Sequence, residues 1–94
     1  MKVVKNVWIL EFSPKAQAQF KKLDQDIKKR MQKFFDKVII SDSLLKSHWK
    51  QLAGTHAHLY SARVGDYRII SEIRKNECRI LAVNIGHRRE VYKV

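Results

Sequence analysis

The 94-residue chain has one cysteine, one proline, three glycines and only nine acidic residues. Each scarcity excludes something. With Cys78 alone, no internal disulfide forms, which fits a reducing compartment. Pro14 as the single proline, with so few glycines, excludes a low-complexity or fibrous chain. No apolar run approaches the roughly 20 residues that a spanning helix needs. The opening "MKVVKNVWILEF" is broken by Lys5, Asn6 and Glu11, so it lacks the apolar middle and small-residue cleavage site of a signal peptide. A cytoplasmic protein without membrane association is expected. Gly-rich phosphate loops, nucleophile elbows and paired-carboxylate motifs are also missing.

Positive charge is what the chain has in excess. Twenty Lys and Arg against nine Asp and Glu give +11 with histidine neutral. Charge on that scale repels itself and points to a polyanionic partner. A hydrophobic content of 45% is ordinary for a globular protein. Too few residues remain for a second core, so 1–94 is read as one domain.

Residues 3–12, "VVKNVWILEF", are β-branched and aromatic and predict a first strand. Ser13 and Pro14 then supply an N-cap and a first helical residue. Apolar residues at Phe20, Leu23, Ile27, Met31, Phe34 and Val38 recur in steps of three or four, one face of a helix. A single helix of that length would overhang so small a sheet, so a two-helix hairpin is expected, turning near "LDQD". Residues 41–56 read as a connector whose apolar side chains cover a core edge. Strands follow at 58–64, 67–73 and 78–85, joined by "GD" and "KN" turns. The predicted class is α+β: an N-terminal strand, the helix hairpin, then an antiparallel meander of three to four strands. Both helices pack on one sheet face and the other face stays open.

The cations are sorted by type. Eleven of thirteen lysines precede Arg74, whereas six of seven arginines lie from Arg63 onward. Lysines on helices are the ordinary solvated face. Arginines on strands are less ordinary, because a rigid guanidinium fork binds phosphate oxygens in pairs and keeps its charge. A sheet face carrying Arg63, Arg68 and Arg88 would bind phosphodiesters. The last stretch, "NIGHRREVYKV", adds His87, Arg89 and Tyr92 within a few positions.

"RVGDYRII" followed by "IGHRREVY", behind "WILEFSPKAQAQFKKL" and "QLAG", resembles the RelE/ParE superfamily of bacterial and archaeal toxins, from about Trp8 to Tyr92. The RelE branch comprises ribosome-dependent mRNA endonucleases and the ParE branch poisons DNA gyrase. The closing Tyr92 is similar to the RelE branch, whereas ParE-type chains more often end in an arginine-rich stretch without it. The resemblance implies site positions at Arg63, Arg68, Arg88 and Tyr92. Ser61 stands where some RelE members have a further cation, with Lys50, His56 and His58 as substitute sources of charge on the RNA. It also implies an acidic antitoxin that wraps the toxin, with mRNA and the ribosome as further partners.

Cleavage of RNA by its own 2′-hydroxyl needs a proton removed, a phosphorane stabilised and a leaving oxygen protonated. Arginines meet the second need, each such donor being worth a few kcal/mol. They cannot meet the others, since the guanidinium keeps its protons. An imidazole, with a reference pKa of about 6.5, exchanges protons near neutrality, which makes His87 a candidate. Tyr92 can act on a proton in a positive field or stack on a base. Other roles stand beside these. Tyr92 caps the core, His87 bonds backbone in a turn, and Arg68 pairs with Glu72 or Asp66. Tyr67 is expected in the core and Arg89 on the surface. His56 and His58 share a strand face, but two histidines without a third ligand make no zinc site, so neither metal nor cofactor is expected. The competing functions are gyrase inhibition and non-catalytic nucleic-acid binding.

Overall fold

The computed structural model describes residues 8–38, 49–87 and 89. β1 (Ile9–Phe12) leads into α1 (Pro14–Lys21) and α2 (Gln25–Val38), followed by β2 (Lys50–Gln51), β3 (Leu59–Val64), β4 (Tyr67–Arg74) and β5 (Arg79–His87). The class is α+β, as the sequence indicates. Residues 3–7 of the expected first strand and 41–48 of the connector lie outside the described residues.

Ser13 is the N-cap of α1, its Oγ accepting from the Ala16 N–H at 3.1 Å, with Pro14 next. Such a cap contributes about 1 kcal/mol. The helix hairpin turns at residues 22–24, overlapping the start of "LDQD", near which the turn was expected. There the Asp24 carbonyl accepts from the Lys28 N–H at 2.9 Å and starts α2.

The sheet has five strands in the order β1-β5-β4-β3-β2. β2 to β5 run antiparallel to one another in succession, and β1 pairs parallel with β5. The antiparallel meander has four strands, within the three to four expected. Two details lay beyond the sequence reading: Lys50 and Gln51 form the fourth strand inside the expected connector, and β1 pairs with β5. Both are pairings between distant segments, which local periodicity does not encode. The "KN" turn is a 3-10 segment, Lys75–Glu77, after which Cys78 takes a left-handed φ of 51°.

Met31 and Phe35 of α2, with Ala16 of α1, bury against Ala62, Val64, Ile69, Ile80, Ala82 and Ile85 of the sheet. Phe35 is 2% exposed and among the largest fully buried side chains. It lies four residues after Met31 and so keeps to the three-and-four stepping, with Phe34 beside it only partly buried. Edge-to-face contacts at 5.4 to 5.8 Å run from Phe20 through Phe12, Phe35 and Phe34 to Trp49, tying α1, β1, α2 and the start of β2. Each contact adds about 0.5–1.5 kcal/mol beyond the area it buries.

Candidate functional site

A two-residue loop fixes the site's register. Gly65 and Asp66 join β3 to β4, and Gly65 has φ of 60° while Asp66 does not share a positive φ. Glycine is the residue favoured at that first loop position when the turn must follow the strands' twist. Val64 therefore pairs with Tyr67 and Arg63 with Arg68. Tyr67 packs with the helix-side core, as expected, so its neighbour Arg68 belongs to the other face. Two guanidiniums thus project from directly opposed positions, an arrangement that like-charge repulsion disfavours unless something offsets it. Gly86 of β5 faces Arg68 from the other side and leaves the space beside it without a side chain.

The next row on the same face is Lys50, Ser61, Ile70 and Asn84 across β2, β3, β4 and β5. Lys50 lies exposed and directly opposite Ser61, a diagonal neighbour of Arg63. Ser61 is 7% exposed and Ile70 3%, although Ile70 stands outside the helix-side core. The middle of this face is therefore covered rather than open as expected, with Ser61 and Ile70 buried beside the cationic end.

Charge changes along the strands. At the far end, roughly 20 Å from Arg68 at about 3.3 Å per residue, Arg74 bonds Glu72 at 2.7 Å and Arg79 bonds Glu11 at 3.1 Å. Glu77 stands within 4.0 Å of Arg74 and 3.5 Å of Arg79. The hydrogen bond and charge of Glu72 hold Arg74 above the usual guanidinium pKa. Carboxylates thus neutralise one end of the face. Among the described residues Arg63 makes no ion pair, and Arg68 lies 3.5 Å from the carbonyl of Tyr67.

Not every expected residue joins this group. His87 pairs with Tyr67, not Arg68, and its ring packs edge-on against the Tyr67 ring at 5.7 Å, on the helix side. Its Nδ1 accepts from the Arg89 N–H at 3.4 Å, and Arg89 is exposed as expected. His56 ends a 3-10 turn, Gly54–His56, and His58 precedes β3, so the two do not share a strand face. Both are exposed. Arg88 and Tyr92 lie outside the described residues. One cation escaped the sequence reading: Arg30, the one arginine of α1 and α2. Its Nη1 lies 3.5 Å from where a Cβ on Gly65 would stand, so α2 lays a guanidinium over the turn that ends the Arg63–Arg68 pair. An arginine alone among helical lysines was the available signal.

The profile described as "ParE toxin of type II toxin-antitoxin system, parDE" matches residues 10–92. Among curated proteins nothing matches. Similar solved structures include the toxin–antitoxin complex RelBE2 from Mycobacterium tuberculosis, at TM-score 0.75 and 23% identity, covering 87% of this chain and 99% of that one. The archaeal RelE-RelB complex from Pyrococcus horikoshii OT3 gives 0.72 and 21%, with coverages of 89% and 98%. The isolated E. coli RelE toxin gives 0.70 and 19%, covering 90% of each chain. At these identities the likeness extends to the fold, which is shared over nearly the whole length. With the family match spanning all but the two termini, the chain belongs to the RelE/ParE superfamily of type II toxin–antitoxin toxins.

Proposed function

We propose that this toxin is a ribosome-dependent, metal-independent mRNA endoribonuclease that inhibits translation in the cytoplasm. The observation that carries the reading is the directly opposed Arg63 and Arg68, with Lys50 on the same face, at the end of the sheet away from the Glu-paired arginines. In this reading Arg63 and Arg68 grip the scissile phosphate. The 2′-oxygen attacks phosphorus, the bond to O5′ breaks, and the products are a 2′,3′-cyclic phosphate and a 5′-hydroxyl. Arg88 stabilises the extra negative charge of the phosphorane, and Lys50 holds a neighbouring phosphate where Ser61 supplies no charge. His87 packs against Tyr67, so proton transfer or base stacking falls first to Tyr92. His56 and His58 contribute at most to the path of the RNA, being exposed before β3.

The partner in this reading is an acidic antitoxin. An apolar groove lined by Leu10, Phe12, Phe20 and Phe35, with Lys21 beside it, suits an amphipathic acidic segment. Relatives of the same fold are solved with RelB antitoxins bound.

Mapping mRNA 5′ ends in a translating extract tests the activity. Cuts inside translated codons, dependent on ribosomes, are expected; intact transcripts with folded protein on the ribosome would overturn it. The ParE profile match favours a second reading, gyrase inhibition, for which loss of supercoiling by purified gyrase is the deciding assay.

A further inference from the structure

β5 carries one residue more than β4 can pair. Ser71 pairs with Ala82 and Ile70 with Asn84, so Val83 between them has no partner on β4. This is a β-bulge. Its consequence is a change of phase. Ala82 and Ile85 both belong to the helix-side core although they stand three positions apart, which an unbroken strand of period two does not allow. Without the extra residue, Ile85 and His87 would fall on the arginine face. With it, Ile85 is buried, His87 meets Tyr67, and Gly86 takes the place beside Arg68.

α1 and its cap grip this bulge at each residue. The Ser13 N–H donates to the Ala82 carbonyl at 2.8 Å, and the Ser13 hydroxyl lies 3.4 Å from the Val83 carbonyl. Gln19 then uses both ends of its amide. Its Oε1 accepts from the Ile85 N–H at 2.7 Å and its Nε2 donates to Asn84 Oδ1 at 2.9 Å. A backbone donor at one end fixes which amide atom is which, since only oxygen can accept there. The side chain of a helix residue thus holds β5 just past the bulge, beyond Ala82 where the pairing with β1 ends.

We propose that Gln19 is a positioning residue for the cationic face. By holding Asn84 and Ile85, it locks the phase of β5 and so decides which side chains of the final strand share a face with Arg63 and Arg68. The structural half stands on the geometry alone; the functional half rests on the endoribonuclease reading.

The full-length chain is compared with Gln19→Leu, which fills the same space without hydrogen bonds, and with Gln19→Glu, which keeps the acceptor for Ile85 while Asn84 can turn its amide to donate. Three quantities are read: exchange of the Ile85 amide, the nuclear Overhauser contact between the Tyr67 and His87 rings, and mRNA cleavage in a translating extract. In Gln19→Leu the Ile85 amide exchanges about tenfold faster, as loss of one part-buried hydrogen bond implies. The ring contact fades, and cleavage falls at least as much while the thermal midpoint stays within a few degrees. Gln19→Glu restores all three. A Leu variant that keeps amide protection and ring contact overturns the proposal whatever its activity. Loosened β5 with wild-type cleavage overturns the functional half. A wild-type chain that cuts no mRNA removes the endoribonuclease reading and that functional half, while the amide and ring signals still decide whether Gln19 holds the strand.

Discussion

Glu72 accepts a 2.7 Å hydrogen bond from Arg74, two residues along the same strand. One of the two carboxylates that sequence alone offered as partners for Arg68 is thereby engaged toward the far end of the sheet. Glu72, Glu77 and Glu11 are grouped there with Arg74 and Arg79.

Arg63→Ala is expected to cut mRNA cleavage by about 10²-fold, the usual effect of removing one donor from a developing oxyanion. Its thermal midpoint should hold or rise slightly, because the change relieves repulsion across the Arg63–Arg68 pair. Cleavage kinetics with a parallel melting curve check both. Lost activity with a collapsed midpoint would assign Arg63 to structure.

Arg74→Ala should leave cleavage at the wild-type level. Its ion pairs are surface pairs, with both Arg74 and Glu77 more than half exposed. The same assay reads it, and a large loss of cleavage would mean that the functional surface extends along the whole sheet.

Lys50→Ala should weaken RNA binding uniformly across sequences. It should also flatten the slope of log K against log salt by about 0.7, one phosphate contact on single-stranded RNA. Titrations at several salt concentrations measure this, and an unchanged slope removes Lys50 from the RNA path.

Two core changes should move stability in opposite directions. Ser71 is fully buried and its hydroxyl has no hydrogen-bond partner among the described residues. Ser71→Ala should therefore stabilise the fold by about 1 kcal/mol. Phe35→Ala, at the junction of the aromatic contacts, should cost about 3–5 kcal/mol, much of what a domain this size has. Urea midpoints of the two variants decide both.

The legible parts of this fold were local. Polar "LDQD" interrupts the helical stepping and marks the hairpin. The two-residue "GD" loop pairs Arg63 with Arg68 by counting outward from the turn, so the heart of the site could be read from spacing. The parallel pairing of β1 and the two-residue β2 join distant segments and leave no periodic trace. "ILAVNI" is apolar on both faces and gives no sign of the extra Val83, so the side of the sheet that His87 takes could not be read from spacing. Arg30 was passed over because it sits among lysines, and only the folded turn shows what it covers.

Because β1 pairs with residues 79–82, the first described strand stays unsealed until those residues, some 70 positions later, have emerged from the machine that makes the chain. A nascent chain halted before Arg79 is not a smaller working domain. It displays a bare hydrogen-bonding edge at Ile9–Phe12 and lacks the strand that sets Gly86 beside Arg68 and His87 beside Tyr67. An early stop codon therefore yields an open-edged fragment rather than a trimmed version of the same fold.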